Sequence, residues 1–118
     1  MSVYLSENHY PHVKLNLGKG KKEVKVDCLI DTGFSSGIAL SQRLQSKLKL
    51  ASVARQDFEM ADGSIVPFDV YLVDTTYKNV KKKLVLVFTK SDDNLVGMEF
   101  LNGFRFLLDL KDYQITLD

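Results

Sequence analysis

The chain has 118 residues, enough for one domain with a real core and too few for two. Apolar residues make up 45% and charged residues 26%, ordinary values for a soluble globular protein, and a net charge of +1 gives no electrostatic case for nucleic acid or an anionic membrane. No apolar run is long enough to span a bilayer, the start MSVYLSENHYPHV lacks the pattern of a signal peptide, and the one cysteine, Cys28, allows no internal disulfide, which fits a reducing, cytoplasmic compartment.

In chain order, PHVKLNL at 11–17 alternates, with Val13, Leu15 and Leu17 on one face, which predicts a strand. GKGKK at 18–22 is turn chemistry, and EVKVDCLI at 23–30 begins in alternation and becomes continuously apolar, as a strand does on entering a core. SQRLQSKLKL at 41–50 predicts a helix capped by Ser41, with Leu44 and Leu48 on its buried face. Residues 55–60 and 65–73 predict two strands around ADGS at 61–64, where Asp-Gly is a strong hairpin signal. Pro67 makes the second arm an edge or projecting strand. YKN at 77–79 turns into a strand at 80–88, followed by a polar loop, the segment NLVG, a helical turn MEFLN, and two last strands, FRFLLDL and YQITL. The whole predicts a mainly β domain with one or two short helices, a small closed sheet.

The stretch CLIDTGFSS at 28–36 delivers a carboxylate, Asp31, just past an apolar run, with a hydroxyl at Thr32 and a glycine at Gly33. Such a sequence suggests a sharp loop holding an acid at the floor of a cleft. The tripeptide alone is equally an Asp-initiated turn, the aspartate bonding its own backbone.

A second apolar pair runs into a glycine in NLVG at 94–97, and MEFL follows it. CLIDTG, a hairpin with a glycine tip, and then LVGMEFL, in this order and spacing, resemble the retropepsin-like aspartic proteases over nearly the whole chain. The resemblance implies an all-β fold: a small closed retropepsin-like β-barrel with one or two short helices and a flap hairpin, residues 1–118 forming one half of a dimeric enzyme. It implies peptide-bond hydrolysis by two aspartates that share a proton and activate one water. With one Asp-Thr-Gly per chain, the second aspartate comes from a second copy in a symmetric homodimer. Asp31 is then catalytic. Thr32 braces the opposing loop and Gly33 lets the loop turn and the substrate backbone approach, while Ser35 either helps hold the loop or is a plain solvent-facing serine. Ala61, Asp62, Gly63 and Ser64 form the substrate-binding flap over a polypeptide substrate bound in extended form. No cofactor, metal, nucleic acid or membrane is implied.

Departures from the family pattern are visible. Phe34 stands where many relatives carry alanine or serine, and Met98 and Glu99 stand where retroviral members carry an arginine and a polar residue. The flap has a single glycine. Elsewhere, His9 and His12 lack a ligand set for a metal. Lys81, Lys82 and Lys83 read as a solvated or edge strand, Asp92 and Asp93 as a surface loop, and Cys28 as a small buried residue. Two other readings stay open: a catalytically silent dimerisation or peptide-binding module of the same fold, and an unrelated small β-barrel binder with Asp31 as a turn residue.

Overall fold

The computed structural model describes residues 2–118. Its strands are β1 (Val3–Leu5), β2 (Pro11–Leu17), β3 (Val24–Ile30), β4 (Ile38–Ser41), β5 (Ala54–Glu59), β6 (Ile65–Tyr77), β7 (Val80–Thr89), β8 (Leu95–Val96), β9 (Phe106–Asp109) and β10 (Gln114–Leu117). Two single-turn helices, α1 (Gln45–Leu48) and α2 (Met98–Leu101), and two 3₁₀ turns, Gly20–Lys22 and Gln42–Leu44, complete the order.

Alternation sets the hairpin of β2 and β3. Val13, Leu15 and Leu17 of β2 and Val26, Cys28 and Ile30 of β3 are buried, while Lys14, Lys25 and Asp27 face water. The register pairs Val13 with Cys28 and Leu15 with Val26, so both apolar sets lie on one face; a slip of one residue would expose them all. The far edge of β2 pairs with β6, Asn16 opposite Thr76 and Leu17 opposite Thr75. That contact closes the ring β2-β3-β8-β4-β7-β6 back onto β2. The inward side chains, among them Leu15, Leu17, Ile38, Leu40 and Leu86, fill the barrel as a packed core. The fold is therefore all-β and closed, as the pattern predicted.

Inside this ring the order around β8 matters most. β8 lies between β3 and β4, parallel to β3 with Ile30 opposite Val96, and antiparallel to β4 with Ile38 opposite Val96. Chain leaving β3 on one side of β8 must return to β4 on the other. Residues 31–37 therefore wrap the end of β8.

The structure differs from the sequence reading in four places. Strands β1 and β4 were not anticipated; IALS of β4 is buried at every residue and so carries no alternation to read. The helix expected over 41–50 is broken: Ser41 ends β4, Gln42–Leu44 form a 3₁₀ turn, and α1 stops at Lys49, whose φ is +48°. Ser41 still caps, its Oγ accepting from the Arg43 N–H at 3.4 Å, and Leu44 and Leu48 pack against the core. Pro67 sits opposite Asp57 in a projecting half of β6, but β6 becomes a central strand once β7 joins it at Tyr71. Lys82 is not solvated like Lys81 and Lys83: its ammonium donates to Phe100 O at 2.8 Å and to Asn102 O.

Beyond α2, β9 and β10 form a separate two-stranded sheet. It is tied to the barrel by Tyr77, whose hydroxyl donates to Leu117 O at 3.1 Å.

Candidate active site

Asp31 begins the loop that wraps the end of β8. Its N–H donates to Val96 O at 2.9 Å, which continues the β3–β8 ladder by one rung and fixes where the side chain starts. The carboxylate then bends back: Oδ1 accepts the Gly33 N–H at 2.9 Å, and the Phe34 N–H closes the turn onto Asp31 O at 3.1 Å. This is the Asp-initiated turn the tripeptide allowed. The turn occupies only one carboxylate oxygen. Oδ2 takes no hydrogen bond or ion pair from the described residues, and Asp31 is half-buried while Thr32 and Gly33 are exposed.

The loop is strapped from behind by the segment that follows β8. The Gly97 N–H donates to Gly37 O at 2.9 Å, the Met98 N–H to Phe34 O at 2.8 Å, and the Glu99 N–H to Ser36 O at 3.2 Å. Gly97 has to be glycine: a Cβ there would run into the carbonyl oxygens of Phe34 and Ser36 and lie 2.8 Å from the Phe34 ring. Gly37 is constrained in the same way, since its Cβ would strike Val85 O and sit 2.8 Å from Glu99 Oε1. The loop and the α2 start thus touch backbone to backbone, which only glycine permits.

The hairpin of β5 and β6 projects beside this loop. Its tip turns at residues 60–64, with the Gly63 N–H donating to Met60 O at 2.9 Å and Gly63 at φ +85°. Asp62 organises the tip: its Oδ1 accepts both the Ser64 hydroxyl at 2.6 Å and the Ser64 N–H at 2.9 Å. Those two bonds hold the Asp62 carboxyl below the usual carboxylate range. Ala61 to Ser64 are all exposed.

Between the loop residues Gly33–Ser36 and the hairpin residues Gln56–Glu59 lies an open cavity of about 520 Å³. Cavities of similar size elsewhere, such as one of about 500 Å³ beside Lys14 and Lys25, border no part of the loop. Phe34 joins the two walls, packing in a satellite cluster with Ala39, Val70 and Val87 that also holds Phe58 and Phe68, whose rings meet edge to face at 5.6 Å. Phe34 therefore gives the loop an apolar anchorage beside the hairpin.

Of the residues singled out in the sequence, Asp31, Thr32, Gly33 and Ser35 share one loop, and Ala61, Asp62, Gly63 and Ser64 share one hairpin tip. Phe34, Gly37 and Glu99 were not foreseen as positioning groups. The only signal for them was the second glycine segment, because Gly97 points to a close approach without naming what approaches. The other titratable side chains take structural places. His12 Nδ1 lies 3.0 Å from Asp27 Oδ1, His9 stacks on Tyr113 with ring centroids 3.9 Å apart, and burial pushes the Cys28 thiol up to about 12.

The fold has counterparts among solved structures. A retropepsin-like aspartic protease from Rickettsia conorii superposes with a TM-score of 0.70 at 20% identity, covering 98% of this chain and 86% of that one. The EIAV protease, in complex with the inhibitor HBY-793, gives 0.59 at 14% identity over 81% and 88% of the two chains. The protease of Simian Foamy Virus (mac) gives 0.51 at 15% identity over 75% and 90%. No family model and no curated protein matches the sequence. The chain has the retropepsin-like fold.

Proposed function

We propose that the protein is an aspartic endopeptidase whose active site forms between two copies of the chain. One observation carries this reading. The Asp31 carboxylate has one oxygen fixed by the Gly33 amide and the other unengaged, on a loop strapped by three backbone bonds from 97–99, within a fold shared with aspartic proteases.

A lone carboxylate is half of the chemistry. Two Asp31 side chains brought together on a two-fold axis would not both ionise, because like charges in contact repel, so the pair would hold one proton. The ionised member takes a proton from a water held between them as that water attacks the scissile carbonyl carbon. The protonated member donates to the carbonyl oxygen, giving a neutral gem-diol, and proton transfer to the leaving amine completes cleavage. Thr32, exposed beside Asp31, would meet the opposite loop. The substrate would lie extended between the loop and residues 61–64 of the hairpin, held by main-chain bonds. The terminal hairpin leaves Leu107, Leu110 and Tyr113 about half exposed, apolar surface of the kind a second copy covers.

The test is cleavage of a peptide library from acid to neutral pH, with product sequencing and an Asp31→Asn control. Activity that follows a bell on the acid side of neutrality and vanishes in the control is the expected result. Cleavage that survives Asp31→Asn would sink the proposal.

A further inference from the structure

β4 joins β7 at Ile38, which pairs with Leu86. One residue earlier the chain that would extend β4 has turned away at Gly37 into the loop that carries Asp31. Val85, on the same edge of β7, is left with no strand beside its amide, and its carbonyl faces Gly37 so closely that no Cβ fits there. A backbone donor left at such an edge is taken up by water or by a side chain.

It finds a side chain. Glu99 Oε1 accepts the Val85 N–H at 2.8 Å, so the carboxylate stands where the next residue of β4 would have been. Glu99 is also the third residue of the strap, its own N–H donating to Ser36 O at 3.2 Å. One residue thus ties β7, α2 and the loop at the point where the loop peels from the barrel. An ionised acceptor makes the bond to an amide stronger than a neutral one does.

We infer that Glu99 is a positioning residue for Asp31: it supplies the missing rung between β7 and the loop, and so sets how far the Asp31 loop swings from the barrel. This rests on the protease reading only for its effect on turnover; the effect on the loop is independent of it. Two variants separate the role from general stability. Glu99→Ala removes the acceptor, and Glu99→Gln keeps a carbonyl oxygen in its place.

The experiment pairs amide hydrogen exchange by NMR with steady-state peptide cleavage on the full chain. In Glu99→Ala the Val85 amide should exchange about tenfold faster or more, the loss expected for a hydrogen bond to a charged group. The Met98 and Glu99 amides that reach the loop should loosen with it, while Leu86 inside the barrel stays protected and reports an intact fold. In the same variant kcat should fall about tenfold with KM little changed, because a displaced reacting group is lost from the transition state more than from substrate binding. Glu99→Gln should recover both readouts to within about threefold, its neutral oxygen being the weaker acceptor. Unchanged exchange at Val85 in Glu99→Ala overturns the inference. So does faster exchange with kcat intact, or a glutamine variant no better than the alanine one. If wild type and both variants cleave nothing, the protease reading has failed, and the exchange measurements alone decide whether Glu99 holds the loop.

Discussion

The backbone N–H of Met98 donates to the carbonyl oxygen of Phe34 at 2.8 Å, so the first turn of α2 hangs from the loop that carries Asp31. The two residues belong to segments far apart in the chain, and they meet because β8 inserts between β3 and β4. The candidate active site is therefore a product of the barrel's closure, and its geometry answers to residues that never touch the carboxylate.

Gly97 gives the most direct check of that dependence. A methyl group at this position meets two backbone carbonyls, of Phe34 and Ser36, and neither can rotate aside as a side chain would. Gly97→Ala should lose about 1–3 kcal/mol of stability, the range for overpacking a tight site, measured by urea denaturation. Gly20→Ala is the comparison: a Cβ there meets nothing within 4 Å although φ is +60°, so its loss should be smaller. Gly97 itself is extended at φ −115°, so a loss no larger than that at Gly20 would mean that the carbonyls of Phe34 and Ser36 do not bar a methyl group there.

How much of this was legible in the sequence follows from the physics of each segment. β2 and β3 have one wet and one dry face, so their alternation wrote the strands plainly, and the Asp-Gly dipeptide marked the hairpin whose Gly63 sits at φ +85°. β4 is dry at all four residues, which removes the period and hides the strand. The Asp31 loop was readable as a motif, but its restraints were not. Glu99 bonding Val85 and Phe34 packing toward the hairpin are long-range contacts that no local pattern encodes. The contacts of Lys82 with Phe100 O and Asn102 O are of the same long-range kind.

Three consecutive lysines make that last point measurable. Lys82 caps the end of α2 through Phe100 O and Asn102 O and lies 4.7 Å from the centroid of the Phe104 ring, whereas Lys81 and Lys83 are exposed. Burial also pulls the Lys82 amine below its ordinary range. Lys82→Ala should therefore cost about 1–3 kcal/mol, the penalty for stripping charged hydrogen bonds and an aromatic contact. Lys83→Ala should stay within about 0.5 kcal/mol of wild type, as surface changes do. Thermal melts of the two variants decide it; indistinguishable melting temperatures would refute the capping role.

The hairpin tip carries a pH prediction of its own. The two Ser64 bonds hold the Asp62 carboxyl below its ordinary value of 3.8, so the folded tip favours the ionised form. The stabilisation is complete above the unfolded-chain pKa and is lost as pH falls through the lower folded value. The turn should thus stay formed across the mildly acid range in which a proton-sharing dyad works. An NMR titration of the Ser64 amide and the Asp62 carboxyl should show a shared midpoint below 3.8, absent in Asp62→Asn. A midpoint at or above that value would rule out the bonded tip.

The decisive prediction concerns the number of chains in one site. Asp31 is the only carboxylate of its loop, which reads DTGFSSG from 31 to 37. If each site needs Asp31 from two copies, a dimer of one wild-type and one Asp31→Asn chain holds a carboxylate facing an amide. The amide cannot act as base and cannot exchange the shared proton, so the mixed dimer folds but is inactive. With a threefold excess of mutant and time for exchange, activity per wild-type chain should drop to roughly a quarter under random pairing. Wild type alone should lose specific activity on dilution below its dimer dissociation constant, and regain it on concentration, because a monomer holds half a site. Sedimentation across the same concentrations must show the monomer appearing where activity falls. If activity instead scales with wild-type chains whatever mutant is added, and dilution leaves it constant, each chain carries a whole site and the shared dyad is wrong.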